Sequence, residues 1–139
     1  MGKVTTMARI GNFGDELKVR EGALRPEEVR SVEVKGLVDS GAMLLTLPED
    51  IVEKLGLLLG EEVRVVYADK RVEKRSLAYG AMIEILGRRT ETTVVVQKSG
   101  TDILIGQIVL EALDLIRDPK RGILTPRPES PDMPLIELL

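Results

Sequence analysis

The sequence feature with the clearest chemical potential is a carboxylate placed directly after an apolar segment. Leu37 and Val38 are followed by Asp39, Ser40 and Gly41. An ionisable group at the end of a buried strand is costly unless its surroundings compensate, and such carboxylates cluster at functional sites. Asp39 could therefore serve as a general acid or base. Asp, Ser and Gly are also common turn formers, so the tripeptide alone is more typical of a turn that ends a strand.

The composition narrows the chemistry in which this carboxylate could take part. The 139 residues include no Cys and no His. A Ser-His-Asp triad, a thiolate nucleophile, a disulfide framework and an ordinary zinc site are excluded, because each needs imidazole or thiol groups. Carboxylates, hydroxyls, Lys, Arg or backbone groups must carry any catalysis.

Length and charge favour one domain that binds neither nucleic acid nor membrane. A chain of this length is typical of a single compact domain. The net charge of −3 gives no overall attraction to phosphate, and Phe13, Tyr67 and Tyr79 are too few for a base-stacking platform. No apolar stretch has the length of a membrane span, and the N-terminus lacks the apolar core of a signal peptide. We expect a cytoplasmic protein.

The elements that must position Asp39 are mostly strands. Their sequence signals are β-branched residues, alternation of apolar and polar side chains, and short apolar runs bounded by turns. Strands are predicted at 3–10 and 29–38, hairpins at 62–79 and 82–96, and short strands at 103–106 and 123–124.

Two short helices are expected between these strands. Thr46 and Glu49 form a capping-box pattern before apolar residues at helical spacing, and Gly56 suits the end of that helix. Residues 109–113 predict the second helix. Residues 14–28 are polar and are predicted to form a loop or arm.

The C-terminal residues are rich in proline. Pro126, Pro128, Pro131 and Pro134 predict an extended segment that cannot occupy a central sheet position. We therefore expect one domain over residues 1–125, followed by a tail over residues 126–139.

The order of these segments resembles that of the retropepsin-like (clan AA) aspartic proteases. In that family two apolar residues precede Asp-Thr/Ser-Gly-Ala, and a later apolar-apolar-Gly segment packs beside the catalytic loop. Here LVDSGA is followed by a short helix, a charged hairpin, and ILIG before a second helix and the turn DPKRG. The resemblance covers Val34 to Leu124. It implies an all-β, half-barrel acid protease fold with one or two short helices, and the activity of an aspartic endopeptidase.

The resemblance assigns roles to the residues of the motif. It implies that Asp39 is the catalytic aspartate and that the hydroxyl of Ser40 ties two catalytic loops together. Gly41 would let the backbone approach a substrate, and Ala42 would complete the support of the loop.

The resemblance also implies a packing segment and a flap. The segment that packs beside the catalytic loop would be Ile103, Leu104, Ile105 and Gly106. The flap that closes over a peptide would be the hairpin from Glu62 to Ala78, with its tip at Ala68 to Arg71. The flap residues that bind the substrate would be Tyr67, Ala68, Asp69, Lys70 and Arg71. This tip departs from the family pattern, since Asp69 and Lys70 stand where a Gly is common.

The mechanism of this family needs two carboxylates, and the chain has one such motif. Two adjacent carboxylates cannot both ionise, so one acts as a base on water while the protonated one polarises the scissile carbonyl. The resemblance therefore implies a homodimer with Asp39 of each chain at the two-fold axis. The substrate would be an extended peptide or protein segment with apolar residues near the cut. No metal and no cofactor are expected.

Ala42 bears on the pH range of activity. In relatives with a hydroxyl residue after the Gly, that hydroxyl can hydrogen-bond to the carboxylate and favour its ionised form. Ala42 cannot do so, and we expect activity at weakly acidic or neutral pH.

Two other functions fit parts of the sequence. A retropepsin-like dimer could act as a non-catalytic binding or scaffold module. Residues 46–57 and 60–63 also resemble swapped-hairpin DNA-binding domains, but this segment carries five acidic residues against Lys54 alone, so attraction to phosphate is lacking.

Overall fold

Strands are the main regular element of the chain, as the sequence patterns predict. The computed structural model describes residues 3–138, and all statements on its elements refer to this range. The strands are β1 (Thr5–Asn12), β2 (Ser31–Val38), β3 (Leu45–Pro48), β4 (Leu58–Val66), β5 (Val72–Ile85), β6 (Arg88–Gln97), β7 (Leu104–Ile105), β8 (Leu115–Asp118) and β9 (Ile123–Pro126). The helices are α1 (Phe13–Arg20), α2 (Glu49–Leu55) and α3 (Gln107–Leu113), with a 3₁₀ turn at Pro26–Glu28. The fold is thus mostly β, with three short helices where one or two were expected.

Strand β1 closes the large sheet on itself. Seven strands follow the order β1-β2-β7-β3-β6-β5-β4, and β1 also pairs with the second half of β5. The first half of β5 pairs with β4, so the long strand β5 belongs both to the closed sheet and to a hairpin. Strands β8 and β9 form a separate two-stranded sheet. The enclosed core is aliphatic, with Ile10, Leu45, Ile83 and Ile105 fully buried.

Helix α1 occupies part of the segment that was predicted to be a loop. Asn12 caps it by accepting a hydrogen bond from the backbone N–H of Asp15 at 2.9 Å. Acidic residues in its first turn and basic residues in its last turn complement the helix dipole. The prediction was wrong because α1 has no apolar stripe: Asp15 is its one buried residue.

Strand β3 occupies the position of the predicted capping box. Thr46 is buried and lies opposite Val95 in a parallel pair with β6, while Pro48 is the N-cap residue of α2 and no side chain caps that helix. The predicted end at Gly56 is confirmed, with a φ of 65°. Pairing with a strand far along the chain therefore overrode the local helix signal at Thr46.

Asp15 anchors the chain that leads into β2. Its carboxylate accepts hydrogen bonds from Nε, Nη2 and the backbone N–H of Arg30 at 2.8, 2.9 and 3.0 Å. The side chain of Asp15 is only 5% exposed. These hydrogen bonds lower the pKa of Asp15 to about 2.

We expect acid to destabilise the fold through Asp15. Because the folded pKa lies below the ordinary value of 3.8, ionised Asp15 stabilises the fold above that pH, and this contribution is lost as the pH falls toward 2. Asp15→Asn should lower the free energy of unfolding at pH 7 by roughly 2 kcal/mol and weaken its fall between about pH 4 and 2. Urea titrations at these pH values measure both effects, with the exposed Glu27→Gln as control. An Asp15→Asn variant as acid-sensitive as the wild type would contradict this role.

Buried polar contacts hold the Pro-rich segment against the end of α3. The guanidinium of Arg88 donates to the carbonyl oxygens of Leu113, Asp114 and Ser130 at 2.9, 3.0 and 2.5 Å. The carboxylate of Asp114 accepts from Nε of Arg127 at 2.5 Å and from the backbone N–H of Leu135 at 2.9 Å. The Arg127 guanidinium keeps the pKa of Asp114 well below its usual range. Part of the segment expected to be a tail therefore packs on the domain.

Candidate active site

Asp39 lies where the chain leaves β2. Strands β2 and β7 pair in parallel with Val38 opposite Ile105, and the backbone N–H of Asp39 donates to the Ile105 carbonyl at 3.0 Å. One carboxylate oxygen of Asp39 accepts from the N–H of Gly41 at 2.9 Å, and its carbonyl accepts from the N–H of Ala42 at 3.1 Å. The residues 39–42 therefore form a tight turn, the Asp39 loop, that orients a half-buried carboxylate.

Gly106 and the start of α3 pack against the backbone of the Asp39 loop and of the two residues that follow it. The backbone N–H groups of Gln107 and Ile108, in the first turn of α3, donate to the carbonyls of Ala42 and Met43 at 2.8 and 3.0 Å. A Cβ atom added to Gly106 would lie 2.5 Å from the Leu44 carbonyl oxygen and 2.8 Å from that of Ala42. Only glycine fits at this position, which is the physical reason for an apolar-apolar-Gly pattern here.

The hairpin formed by β4 and β5 ends in a turn at residues 67–71. The N–H of Lys70 donates to the Tyr67 carbonyl, and the N–H of Tyr67 donates to the Arg71 carbonyl, each at 2.9 Å. Lys70 adopts a φ of 72°, as expected for a three-residue hairpin loop whose last residue is left-handed. Glycine is favoured at such a position, so the departure from the family pattern noted in the sequence places a lysine in a strained conformation.

Lys70→Gly should stabilise the hairpin tip. The left-handed conformation costs a residue with a side chain about 1 kcal/mol or more, whereas glycine adopts it freely. The greater freedom of glycine in the unfolded chain offsets part of this gain. We expect the free energy of unfolding to rise by up to about 1 kcal/mol in urea titrations, with no rise in the matched variant Lys70→Ala. A less stable glycine variant would rule out this source of strain.

A cleft of about 350 Å³ opens between this hairpin and the residues that follow β6. The hydroxyl of Tyr67 and Nε of Arg75 both donate to the Gln97 side-chain oxygen, at 3.0 and 2.9 Å. Gln97 thus links the hairpin to the end of β6. The cleft is lined by Thr46, Tyr67, Arg71, Glu73, Arg75, Gln97, Lys98, Thr101, Asp102 and Leu104.

The charges in this cleft differ from the apolar surroundings that a substrate with apolar residues near the cut would require. Glu73 pairs with Arg71 at 3.1 Å and also with Arg75. The Arg71 guanidinium stacks on the Tyr67 ring, 4.4 Å from its centroid. Within residues 3–138, no three acidic side chains converge in a way that could hold a metal ion.

The structure brings the predicted site residues together in two groups. The Asp39 loop contacts Ile105 and Gly106, whereas Tyr67 and Arg71 line the cleft with Leu104. Leu104 joins the groups, because it also lies opposite Leu37 at the end of β2. Asp39 itself does not line the cleft. Ile103 is half-buried against the core, and Ala68, Asp69 and Lys70 are at the hairpin tip, where all three are exposed.

One residue beside Asp39 was not singled out from the sequence. Arg117 of β8 donates from Nη1 to the Ser40 hydroxyl at 3.4 Å. No local pattern could have indicated this contact, because the two residues are far apart in the chain.

Comparison with known families covers this site. An aspartyl protease family model matches residues 26–109, more than half of the chain, and the match includes the Asp39 loop, the hairpin and Gly106. No curated protein matches the chain. No helix in residues 3–138 is long and apolar enough to cross a membrane. The motif, the glycine that supports it and the extent of the family match together place this chain in the aspartyl protease family, within the retropepsin-like clan AA.

Proposed function

We propose that the protein is an aspartic endopeptidase whose active site is completed by a second copy of the chain. The observation that carries this proposal is the Asp39 loop, whose half-buried carboxylate is oriented by Gly41 and supported by Gly106. This loop lies inside the region that matches the aspartyl protease family. Because the chain has a single Asp-Ser-Gly motif, Asp39 of the partner subunit must supply the second carboxylate.

The two carboxylates would share one proton, because two carboxyl groups placed next to each other cannot both ionise. The ionised Asp39 takes a proton from water as the water oxygen attacks the scissile carbonyl carbon. The protonated Asp39 donates its proton to the carbonyl oxygen. When the tetrahedral intermediate collapses, the C–N bond breaks and the leaving nitrogen takes the proton that the first Asp39 removed from water. A hydroxyl of the intermediate returns its proton to the second Asp39, which restores the shared proton. The backbone N–H of Gly41 donates to one carboxylate oxygen of Asp39, which leaves the other oxygen to accept a hydrogen bond from the water.

The hairpin tip, residues 67–71, would close over a peptide bound in an extended form. Extended peptides pair through their backbone with exposed strand edges, and their side chains enter pockets at alternate positions. The cleft beside the hairpin has one aliphatic lining residue, Leu104, among polar and charged ones. We infer that it accepts a side chain with both apolar and polar parts, and that Tyr67 and Arg71 contact that side chain.

Mixing wild-type and inactive subunits tests the two-copy site. An excess of the Asp39→Asn chain should lower wild-type cleavage of a peptide library, because each mixed dimer holds one competent carboxylate. Specific activity should also fall on dilution. Wild-type protein that is dimeric but cleaves no peptide between about pH 3 and 8 would overturn the protease function and favour a binding module. Activity that is independent of dilution and of the added variant would overturn the two-copy site.

A further inference from the structure

We propose that Arg117 is a positioning residue for the Asp39 loop and acts through the hydroxyl of Ser40. This role rests on the proposed two-copy site, in which the Ser40 hydroxyl faces the loop of the partner subunit. Arg117 Nη1 lies 3.4 Å from Ser40 Oγ, and this is the hydrogen bond that the Ser40 side chain makes within residues 3–138. The other hydrogen bonds of the loop involve backbone atoms and the Asp39 carboxylate.

Strand β8 is anchored so that the backbone at Arg117 has a fixed position. Leu115 at its start is buried, and the buried Arg88 guanidinium holds the carbonyls of the two preceding residues. On the other side, β9 pairs with β8 and places Leu124 opposite Arg117. The backbone that carries Arg117 is therefore held by core packing, by buried hydrogen bonds and by a paired strand.

The Arg117 guanidinium has no acidic partner within residues 3–138 that would compete with Ser40 for its hydrogen bonds. Within the described part of the chain, Arg117 forms no ion pair with an acidic side chain, and in the single chain both Arg117 and Ser40 are exposed. Exposure weakens the contact, because water competes for each group. The contact therefore adjusts the orientation of a hydroxyl and adds little to the stability of the fold.

Serine at position 40 explains why such a restraint matters. Threonine carries a second heavy atom on Cβ that limits its χ1 angle, whereas serine samples the staggered rotamers more freely. A guanidinium that donates to Oγ favours one of these rotamers. Since a hydroxyl accepts and donates at once, Ser40 keeps its proton available for an acceptor in the partner loop.

The test compares Arg117→Ala with a double variant that restores the restraint at position 40. Arg117→Ala should weaken dimerisation and lower kcat/KM, each about fivefold, as the loss of one exposed charged hydrogen bond predicts. Adding Ser40→Thr should bring both values back to within about twofold of wild type, because threonine restrains its own χ1. Arg121→Ala, in the turn after β8, is the matched control and should change neither value.

A purely electrostatic role would give a different pattern. If Arg117 acted only as a charge near the two carboxylates, Arg117→Lys would keep full activity and Ser40→Thr would rescue nothing. The acid limb of the pH profile would also shift in Arg117→Ala. That pattern would overturn the positioning role, whereas rescue by threonine with an unshifted acid limb supports it.

The Ser40 χ1 angle gives a readout that needs neither a dimer nor activity. Three-bond couplings measured by NMR should indicate one dominant rotamer in the wild type and an average of rotamers in Arg117→Ala. Equal averaging in both proteins would overturn the role of Arg117. A monomeric or inactive wild type would overturn the proposed function instead, so the two failures are distinguishable.

Discussion

Asp39→Asn should abolish peptide cleavage while the fold and the dimer remain intact. Asparagine has the shape of aspartate and keeps an oxygen for the hydrogen bond from Gly41, but it cannot take a proton from water. Removal of a general base typically costs about 10²- to 10⁴-fold, and we expect a loss in kcat of at least about 10³-fold because both copies of the chain change. Cleavage of a peptide library, measured by mass spectrometry across pH, gives the activity.

The controls for this prediction separate chemistry from folding. Urea unfolding and sedimentation should show the same stability and dimer mass for Asp39→Asn as for the wild type. Asp50→Asn, which changes an exposed carboxylate in the first turn of α2, should keep full activity. Cleavage by Asp39→Asn at the wild-type rate would place the active site elsewhere.

Gly106→Ala should cost both stability and activity. The added Cβ meets backbone carbonyl oxygens of Leu44 and Ala42 at 2.5 and 2.8 Å, so the Asp39 loop must move to make room. Overpacking of this kind costs about 1 to 3 kcal/mol in the free energy of unfolding. A displacement of about 1 Å in a reacting group can cost about 10²-fold in rate, and we expect kcat/KM to fall by about that factor.

Gly36→Ala is the matched comparison for Gly106→Ala. Its Cβ would lie 2.6 Å from Cδ1 of Ile105, which is the end of a side chain and can rotate away. The loss of activity should therefore be much smaller than for Gly106→Ala. Equal kcat/KM in the Gly106→Ala variant and the wild type would show that the loop does not depend on this close approach.

The parts of the fold that the sequence predicted are those with local signals. Strand β2 loses its polar face before Asp39, Gly56 ends α2, and the turn at residues 118–122 precedes β9, so these features were visible in neighbouring residues. Strand β8, before that turn, was not predicted. Strand β3 was missed because it is defined by its pairing with β6, far away in the chain. Helix α1 was missed because it is stabilised by its cap and by the ion pair of Asp15, and not by an apolar face.

In the candidate site, too, the features with a local sequence pattern were predicted and the contacts between distant segments were not. The Asp39 motif and Gly106 were recognised as two short patterns, and the structure supplies the backbone contacts that connect them. The contact between Arg117 and Ser40 and the bonds from Tyr67 and Arg75 to Gln97 depend on which strands become neighbours. Arg117, Arg75 and Gln97 belong to no recognisable sequence motif, so these contacts could not be predicted before the fold was known.

The parallel pairing of β2 with β7 also sets an order of events during synthesis. The N–H of Asp39 needs the Ile105 carbonyl, and the loop needs the close approach of Gly106, so neither support exists while the chain is being made up to β6. Contacts between distant segments form slowly, since a long loop must close first. A ribosome-bound fragment that ends before Ile105 lacks the backbone contacts that hold the loop in shape. Under the proposed protease function, the growing chain therefore has no complete catalytic loop before Ile105 and Gly106 are made.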